Sequence, residues 1–298
     1  MKRILVVHAW GLGDLLMATP MLKSLALSGH EVELALFSGQ QALLLKGNDF
    51  LAGVHVLKKR WQLLKFFGRY DALVVTAGTD PQKARLLNRA IRAKDLYTAA
   101  QERDLHRIRM NLKIVEPLLS RRTEEPYIHI PPADETVRKY LSETEKNIGF
   151  AVGSGSRQAF KRWEGFGELA KHIEGHKLLF IGPDERELAA RYEGSGMTIV
   201  QEPLEKTVAL IARLDLMVGN DNGLMHIAYA SGTDSVTVFG MTNPKETGGY
   251  RPNHAAVFLP MPCMPCFDPA TDAIGCTGID CLKNLSYRKV LDTCRPFL

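Results

Sequence analysis

The chain contains no run of about eighteen apolar residues, so no membrane-spanning helix is expected from it. Its opening, Met1-Lys2-Arg3-Ile4-Leu5-Val6-Val7, is too short an apolar stretch for a secretory leader, and Asp14 follows closely. A cytoplasmic protein is therefore expected. Cysteine is missing from most of the chain: all five lie in the last thirty-six residues. Disulfides are not expected in that compartment, which leaves metal binding or reduced thiols for the cluster. No short repeat, low-complexity tract or nucleic-acid-binding motif is present, so no nucleic-acid partner is expected. A complete glycine fingerprint for a dinucleotide is also lacking. Gly11-Leu12-Gly13 is followed by Met17 where the third glycine would stand, which places an NAD-dependent oxidoreductase last.

What is present is a 298-residue chain, 45% hydrophobic and 24% charged, long enough for two ordinary domains. The net charge of +5 is unevenly spread. Residues 1–145 hold 22 Lys and Arg against 16 Asp and Glu, and residues 146–298 hold 16 against 17. Much of the excess falls between Lys58 and Lys113, with Trp61, Phe66 and Phe67 interleaved. Solvated helix faces account for many of these charges. The pattern also suits an anionic partner such as a phosphorylated lipid headgroup or membrane surface.

Short apolar runs alternate with helical periodicity along the chain. Ile4–His8, Glu31–Phe37, Val54–Leu57 and Ala72–Thr76 read as strands, separated by helices such as Leu15–Leu27 and Pro81–Arg92. A polar, proline-bearing stretch over Thr123–Ser142 interrupts the rhythm. It resumes with strands at Asn147–Val152, Lys177–Ile181, Met197–Val200, Leu214–Val218 and Ser235–Phe239. Two successive open α/β parallel sheets are expected, over residues 1–140 and 141–298, with ligands at the carboxyl ends of the strands and a cleft between the sheets.

Four segments at strand ends carry candidate chemistry. Asp14, after Gly11-Leu12-Gly13, reads either as a helix N-cap or as a carboxylate that accepts a proton. Gly153-Ser154-Gly155-Ser156, with Lys161 beyond, suits a phosphate or diphosphate, or is a plain solvent-facing loop. Glu185 suits ribose hydroxyls or the dipole of a helix start. Asp221-Asn222-Gly223 between a strand and the helix Leu224–Ala230 makes an anion site or a simple capped turn. Cys263, Cys266, Cys276 and Cys281, spaced C-x2-C-x9-C-x4-C, suit a structural zinc or iron, or reduced thiols packed under a loop.

Taken together, Gly13-Asp14 with Thr19-Pro20, Lys161-Arg162-Trp163, Asp221 to His226, and Phe239 to Pro244 through Gly249-Tyr250 resemble glycosyltransferase family 9, the heptosyltransferases of the lipopolysaccharide inner core. The resemblance implies a GT-B fold, with two Rossmann-like domains whose parallel sheets face across a cleft. The last helix would pack back on the first domain. It also implies an inverting transfer from ADP-heptose that needs no metal. Asp14 would be the general base and Gly13 would lie on the acceptor side. Ser154, Ser156 and Lys161 would hold the diphosphate and Glu185 the nucleoside. Asp221, Asn222, Gly223, Leu224 and His226 would line the donor pocket. An anionic glycolipid at the inner face of the membrane is the expected acceptor. The alternatives are a protein acceptor, as for relatives that modify autotransporters and bind iron through a cysteine cluster, and a non-catalytic nucleotide-sugar-binding protein.

Overall fold

The computed structural model describes residues 1–100, 102–182, 185–249, 251–268, 273–276 and 278–298, with the backbone alone at Ser156, Arg157, Arg186 and Asp268. Two compact units result, Met1–His129 and Ile130–Leu298.

In the first unit, β1 (Arg3–Val7), β2 (Glu31–Leu36), β3 (Gly53–Val56), β4 (Ala72–Val75) and β5 (Asp95–Tyr97) form one parallel sheet in the order β3-β2-β1-β4-β5. The helices α1 (Leu12–Leu27), α2 (Gly39–Leu43), α3 (Pro81–Ile91) and α4 (Arg107–Val115), with a 3₁₀ segment at Arg60–Phe66, connect and cover the strands. Ile4, Val6 and Val74 face one core with Leu15, Met21, Leu22 and Leu112. Leu5, Val7 and Leu73 face a second core with Leu63, Phe66, Ala84 and Ile91. Both faces of β1 are thus buried, as its unbroken apolar run requires.

Pro20 sits inside α1 without ending it. A proline at that position leaves the carbonyl four residues back without its amide donor. Here the Thr19 hydroxyl donates to that carbonyl, Leu16 O, at 2.7 Å, and accepts from Tyr127 N at 2.8 Å. The Thr19-Pro20 pair therefore repairs itself.

The second unit opens with α5 (Glu135–Arg138), followed by β6 (Asn147–Ala151), α6 (Phe166–Lys171), β7 (His176–Phe180), α7 (Arg186–Ala190), β8 (Thr198–Val200), α8 (Leu204–Ile211), β9 (Leu216–Asn220), α9 (Gly223–Ser231), β10 (Ser235–Val238), α10 (Pro244–Thr247) and β11 (His254–Val257). A small hairpin of β12 (Phe267–Asp268) and β13 (Ala273–Ile274) precedes α11 (Asp280–Lys283) and α12 (Tyr287–Cys294). The main sheet is parallel, in the order β11-β10-β9-β6-β7-β8.

One difference from the sequence pattern concerns the unit boundary. The division falls about ten residues before the expected 140, because α5 packs on α8 and Asp134 pairs with Lys206. α12 lies against α6, β10 and β11, with Val290 and Cys294 wholly buried in the second unit's own core.

Candidate active site

Each sheet reverses its direction of winding once, between β1 and β4 in the first and between β6 and β9 in the second. Open α/β sheets bind ligands beyond the strand ends at such switch points. The turn after β1 carries Asp14; the turns after β6 and β9 carry Gly153 to Lys161 and Asp221 to Gly223.

Asp14 is not the N-cap. Gly11 caps α1, without a side-chain bond, and Asp14 lies in the first turn. Its carboxylate is about one third exposed and stands 3.7 Å from the Arg107 guanidinium, on α4. Arg107 was legible only as one charge among the basic excess, yet its side chain is 9% exposed. Its Nε and Nη1 are buried with no hydrogen-bond partner among the described residues. Such donors are costly to bury unmatched. Gly78, after β4, makes the space for them: it has φ +91°, and a Cβ there would lie 2.9 Å from Arg107 Nη1.

His8, at the end of β1, braces the same turn. Its Nδ1 lies 3.2 Å from Thr76 Oγ1 and its Nε2 3.2 Å from Gly11 O. Burial pushes this imidazole below the ordinary histidine range, against a smaller upward pull from Asp14. Trp10 donates to Thr79 Oγ1 at 3.0 Å, and Gln41 donates to Trp10 O at 2.7 Å. Polar bonds thus lock the turn that holds Gly13 and Asp14. The apolar run Ile4–Val7 concealed His8 as the last residue of a strand.

In the second unit the three residues Lys161-Arg162-Trp163 divide their tasks. Lys161 Nζ lies 3.6 Å from Asp221 Oδ2 and 4.8 Å from the Phe267 ring centre. The Thr242 hydroxyl donates to the same Asp221 oxygen at 2.8 Å, which ties the loop after β10 into the cluster. Arg162 donates to Glu185 Oε1 at 2.9 Å. Trp163 is buried, its backbone N–H donating to Asn220 and its indole to Leu285 O. β9 runs on to Asn220, so the turn is shorter than the sequence suggested. The Asn220 side chain is wholly buried and belongs to the scaffold.

Asn222 is a genuine N-cap: its Oδ1 accepts from Leu224 N and Met225 N, and its Nδ2 donates to Ala151 O and Gly153 O. Both strand-end turns are therefore joined by one amide, with the N-terminus of α9 behind them. Leu224 is half-buried at this end. His226 is 8% exposed and packs edge-on against Tyr229.

Glu185 is drawn into the Gly153–Gly155 loop. It accepts from the backbone of Ser154 (3.1 Å), Gly155 (3.2 Å) and Gly182 (3.2 Å), besides Arg162. A Cβ on Gly153 would collide with it at 2.1 Å. The Ser154 hydroxyl donates to Gln158 O at 2.7 Å. Several donors expected to meet a diphosphate therefore hold the loop itself in this conformation. The side chain of Ser156 and all of Tyr250 lie outside the described residues.

The cysteines gather but do not form a metal centre. Cys266 and Cys276 share a hydrogen bond, and Cys263 and Cys281 also act on Cys266. Burial and these neighbours push the Cys266 thiol up to about 11. Among the described residues no group of three or more His, Cys, Asp or Glu is arranged to hold a metal ion. Of the two options that the spacing of Cys263, Cys266, Cys276 and Cys281 left open, a structural zinc or iron finds no fitting ligand set among the described residues. Cys281 and Leu282 are buried in the core formed around Trp163 and Phe166 and Cys266 packs against it, while Cys263 is exposed.

The family profile of glycosyltransferase family 9 (heptosyltransferase) matches residues 73–274. The chain belongs to this family. It is similar to lipooligosaccharide heptosyltransferase 2 of Campylobacter jejuni subsp. jejuni serotype O:6, with 23% identity over 98% of both chains. Among solved structures, it resembles a family 9 glycosyltransferase from Veillonella parvula, with a TM-score of 0.79 and 19% identity, over 99% of this chain and 97% of that one. It also resembles E. coli ADP-heptose LPS heptosyltransferase II, with a TM-score of 0.71 and 19% identity, over 99% and 98%. The fold is GT-B, and this family 9 chain is a glycosyltransferase. Among the described residues no helix is long and apolar enough to cross a membrane.

Proposed function

We propose that this family 9 enzyme transfers heptose from ADP-heptose to an anionic, lipid-linked inner-core saccharide, as a peripheral protein of the inner membrane face. The observation that carries the reading is the switch-point chemistry of each sheet: an ionisable, partly exposed carboxylate at one, and a lysine with a helix N-terminus at the other. The name of the E. coli structural relative supplies the donor.

In this reading Asp14 takes the proton of the acceptor hydroxyl as its oxygen bonds to the anomeric carbon. The bond from that carbon to the diphosphate breaks on the opposite side, and ADP leaves with the electron pair. One displacement inverts the centre. Lys161, held by Asp221 and Thr242, meets the charge that grows on the diphosphate, aided by the positive end of α9 at Asn222 and Gly223. Ser154 and Ser156 contribute from the neighbouring loop, while Leu224 and His226 shape the pocket behind it. Glu185 has an acceptor position left on Oε2 for a ribose hydroxyl. Gly13 lets the acceptor approach Asp14, and Arg107 offers its two unmatched donors to the acceptor's anionic group. The cysteine quartet has a structural role, anchoring the loop that carries Phe267.

The test is Asp14→Asn, assayed by ADP release with ADP-heptose and a purified core acceptor. Loss of a general base should cost on the order of 10²–10⁴ in kcat, with donor affinity retained. Turnover near the wild-type rate would remove Asp14 from the chemistry.

A further inference from the structure

The transfer chemistry leaves one face of the first unit unused. The 3₁₀ segment Arg60–Phe66 and α3 form the layer over the Leu5–Val7–Leu73 face of the sheet, and they meet where Gly68 N donates to Ile91 O at 2.8 Å. The outer side of such a layer is ordinarily polar. Here it exposes Trp61 (64%), Leu64 (55%), Phe67 (53%) and Leu86 (60%).

The same stretch of chain is rich in basic side chains. Between residues 58 and 92 stand nine Lys and Arg against two acids, Asp71 and Asp80. Asp71 is paired with Lys94, and Asp80 caps α3. None of the nine cations has a carboxylate partner among the described residues. Arg85, Arg89 and Arg92 fall along one side of α3 and line a groove of about 580 Å³ with Asn88, Ala93 and Leu96. Arg92 also lies 5.4 Å from the Phe67 ring centre, which joins the groove to the apolar cluster.

We propose that this face docks on an anionic lipid bilayer. Trp61, Leu64, Phe67 and Leu86 enter the boundary between headgroups and acyl chains, and Arg85, Arg89 and Arg92 take lipid phosphates. Exposed aromatic and aliphatic residues beside cations that have no carboxylate partner are what such an interface rewards. A second copy of the chain is a poor occupant, because a two-fold contact would bring both sets of cations together. The face also starts at the right place. α3 begins two residues after Thr79, which holds Trp10 in the turn of Asp14. This rests on the lipid-linked acceptor proposed above, and assigns the surface that would bring the enzyme to it.

The test is co-sedimentation of the full chain with vesicles of phosphatidylglycerol and phosphatidylethanolamine, against vesicles of phosphatidylcholine alone. Binding is expected only to the anionic vesicles, and should weaken as salt rises from about 0.05 M to about 0.5 M. Two variants, Trp61→Ser/Leu64→Ser/Phe67→Ser and Arg85→Glu/Arg89→Glu/Arg92→Glu, should each lower the bound fraction on the order of tenfold. Both should keep the wild-type melting temperature and the transfer rate to a water-soluble acceptor. A single Leu86→Ser change, on an exposed position, gives a milder check in the same direction. Wild-type-level binding by both triple variants, no wild-type binding to anionic vesicles, or an apolar face that instead mediates dimers in sedimentation equilibrium would each overturn the proposal. Vesicle binding without heptosyl transfer would instead refute the catalytic reading alone.

Discussion

Glu33 offers a sharp test of how the first unit is held together. It sits on β2 with its side chain 10% exposed, and three groups converge on it: Arg3 at 2.6 Å, His55 at 2.6 Å and Tyr70 at 2.8 Å. Burial alone would raise its carboxyl. The bonds from His55, Tyr70 and Arg3 outweigh burial and bring it from 4.5 down to about 2. A folded-state value below the unfolded one stabilises the protein above the unfolded value, and that stability is lost as pH falls toward the folded one. The difference corresponds to roughly 3 kcal/mol at neutral pH and about half of that at pH 3. Glu33→Gln keeps the shape and removes the charge. Urea unfolding of both proteins should show a gap of about 3 kcal/mol above pH 5 that narrows to about 1.5 kcal/mol near pH 3. Curves that run parallel from pH 6 to pH 3 would refute the reasoning, because the gap would then owe nothing to ionisation.

The remaining predictions concern α1 and the second unit's cluster. Thr19→Val strips donor and acceptor from Leu16 O and Tyr127 N and should cost about 2–4 kcal/mol in urea unfolding. Adding Pro20→Ala returns an amide to Leu16 O, so the double variant should recover about 1 kcal/mol relative to the sum of the singles. Lys161→Met should lower kcat/KM for the proposed donor, ADP-heptose, by about 10²–10³ and, by leaving Asp221 buried without its cation, destabilise the fold by roughly 3 kcal/mol. Combining it with Asp221→Asn should restore the melting temperature and not the activity, a separation that a purely structural lysine would not produce.

Much of this architecture was readable from local pattern. Runs such as Leu5-Val6-Val7 and Leu73-Val74-Val75 are apolar on both pleat faces, which only a covered parallel strand explains. The strand-to-helix turns at Asp14 and at Asp221 to Gly223 followed from that alternation. Two strands of the main sheets escaped detection: β5 spans three residues of mixed polarity, and β11 begins with the half-buried His254. Neither has a period long enough to distinguish from a loop. Asp14 as an N-cap was the simpler local inference, and it failed because the helix starts earlier, at Leu12. The cysteine spacing pointed toward a metal, but spacing carries no information on whether sulfurs surround a common centre.

Arg107 marks the boundary between the two kinds of knowledge. Nothing in its neighbours distinguishes it from the solvated arginines around it, and its meeting with Asp14 spans 93 positions of sequence. Sequence alone determined the alternation of strand and helix, and hence two parallel sheets with polar turns at their carboxyl ends, because periodicity and turn chemistry act over a few residues. Tertiary structure alone decided which side chains meet at those turns: Glu185 in the Gly153–Gly155 loop, Lys161 with Asp221 and Thr242, and a buried guanidinium beside Asp14. Those pairings depend on strand order and on how helices pack across the sheet, which no local run of residues encodes.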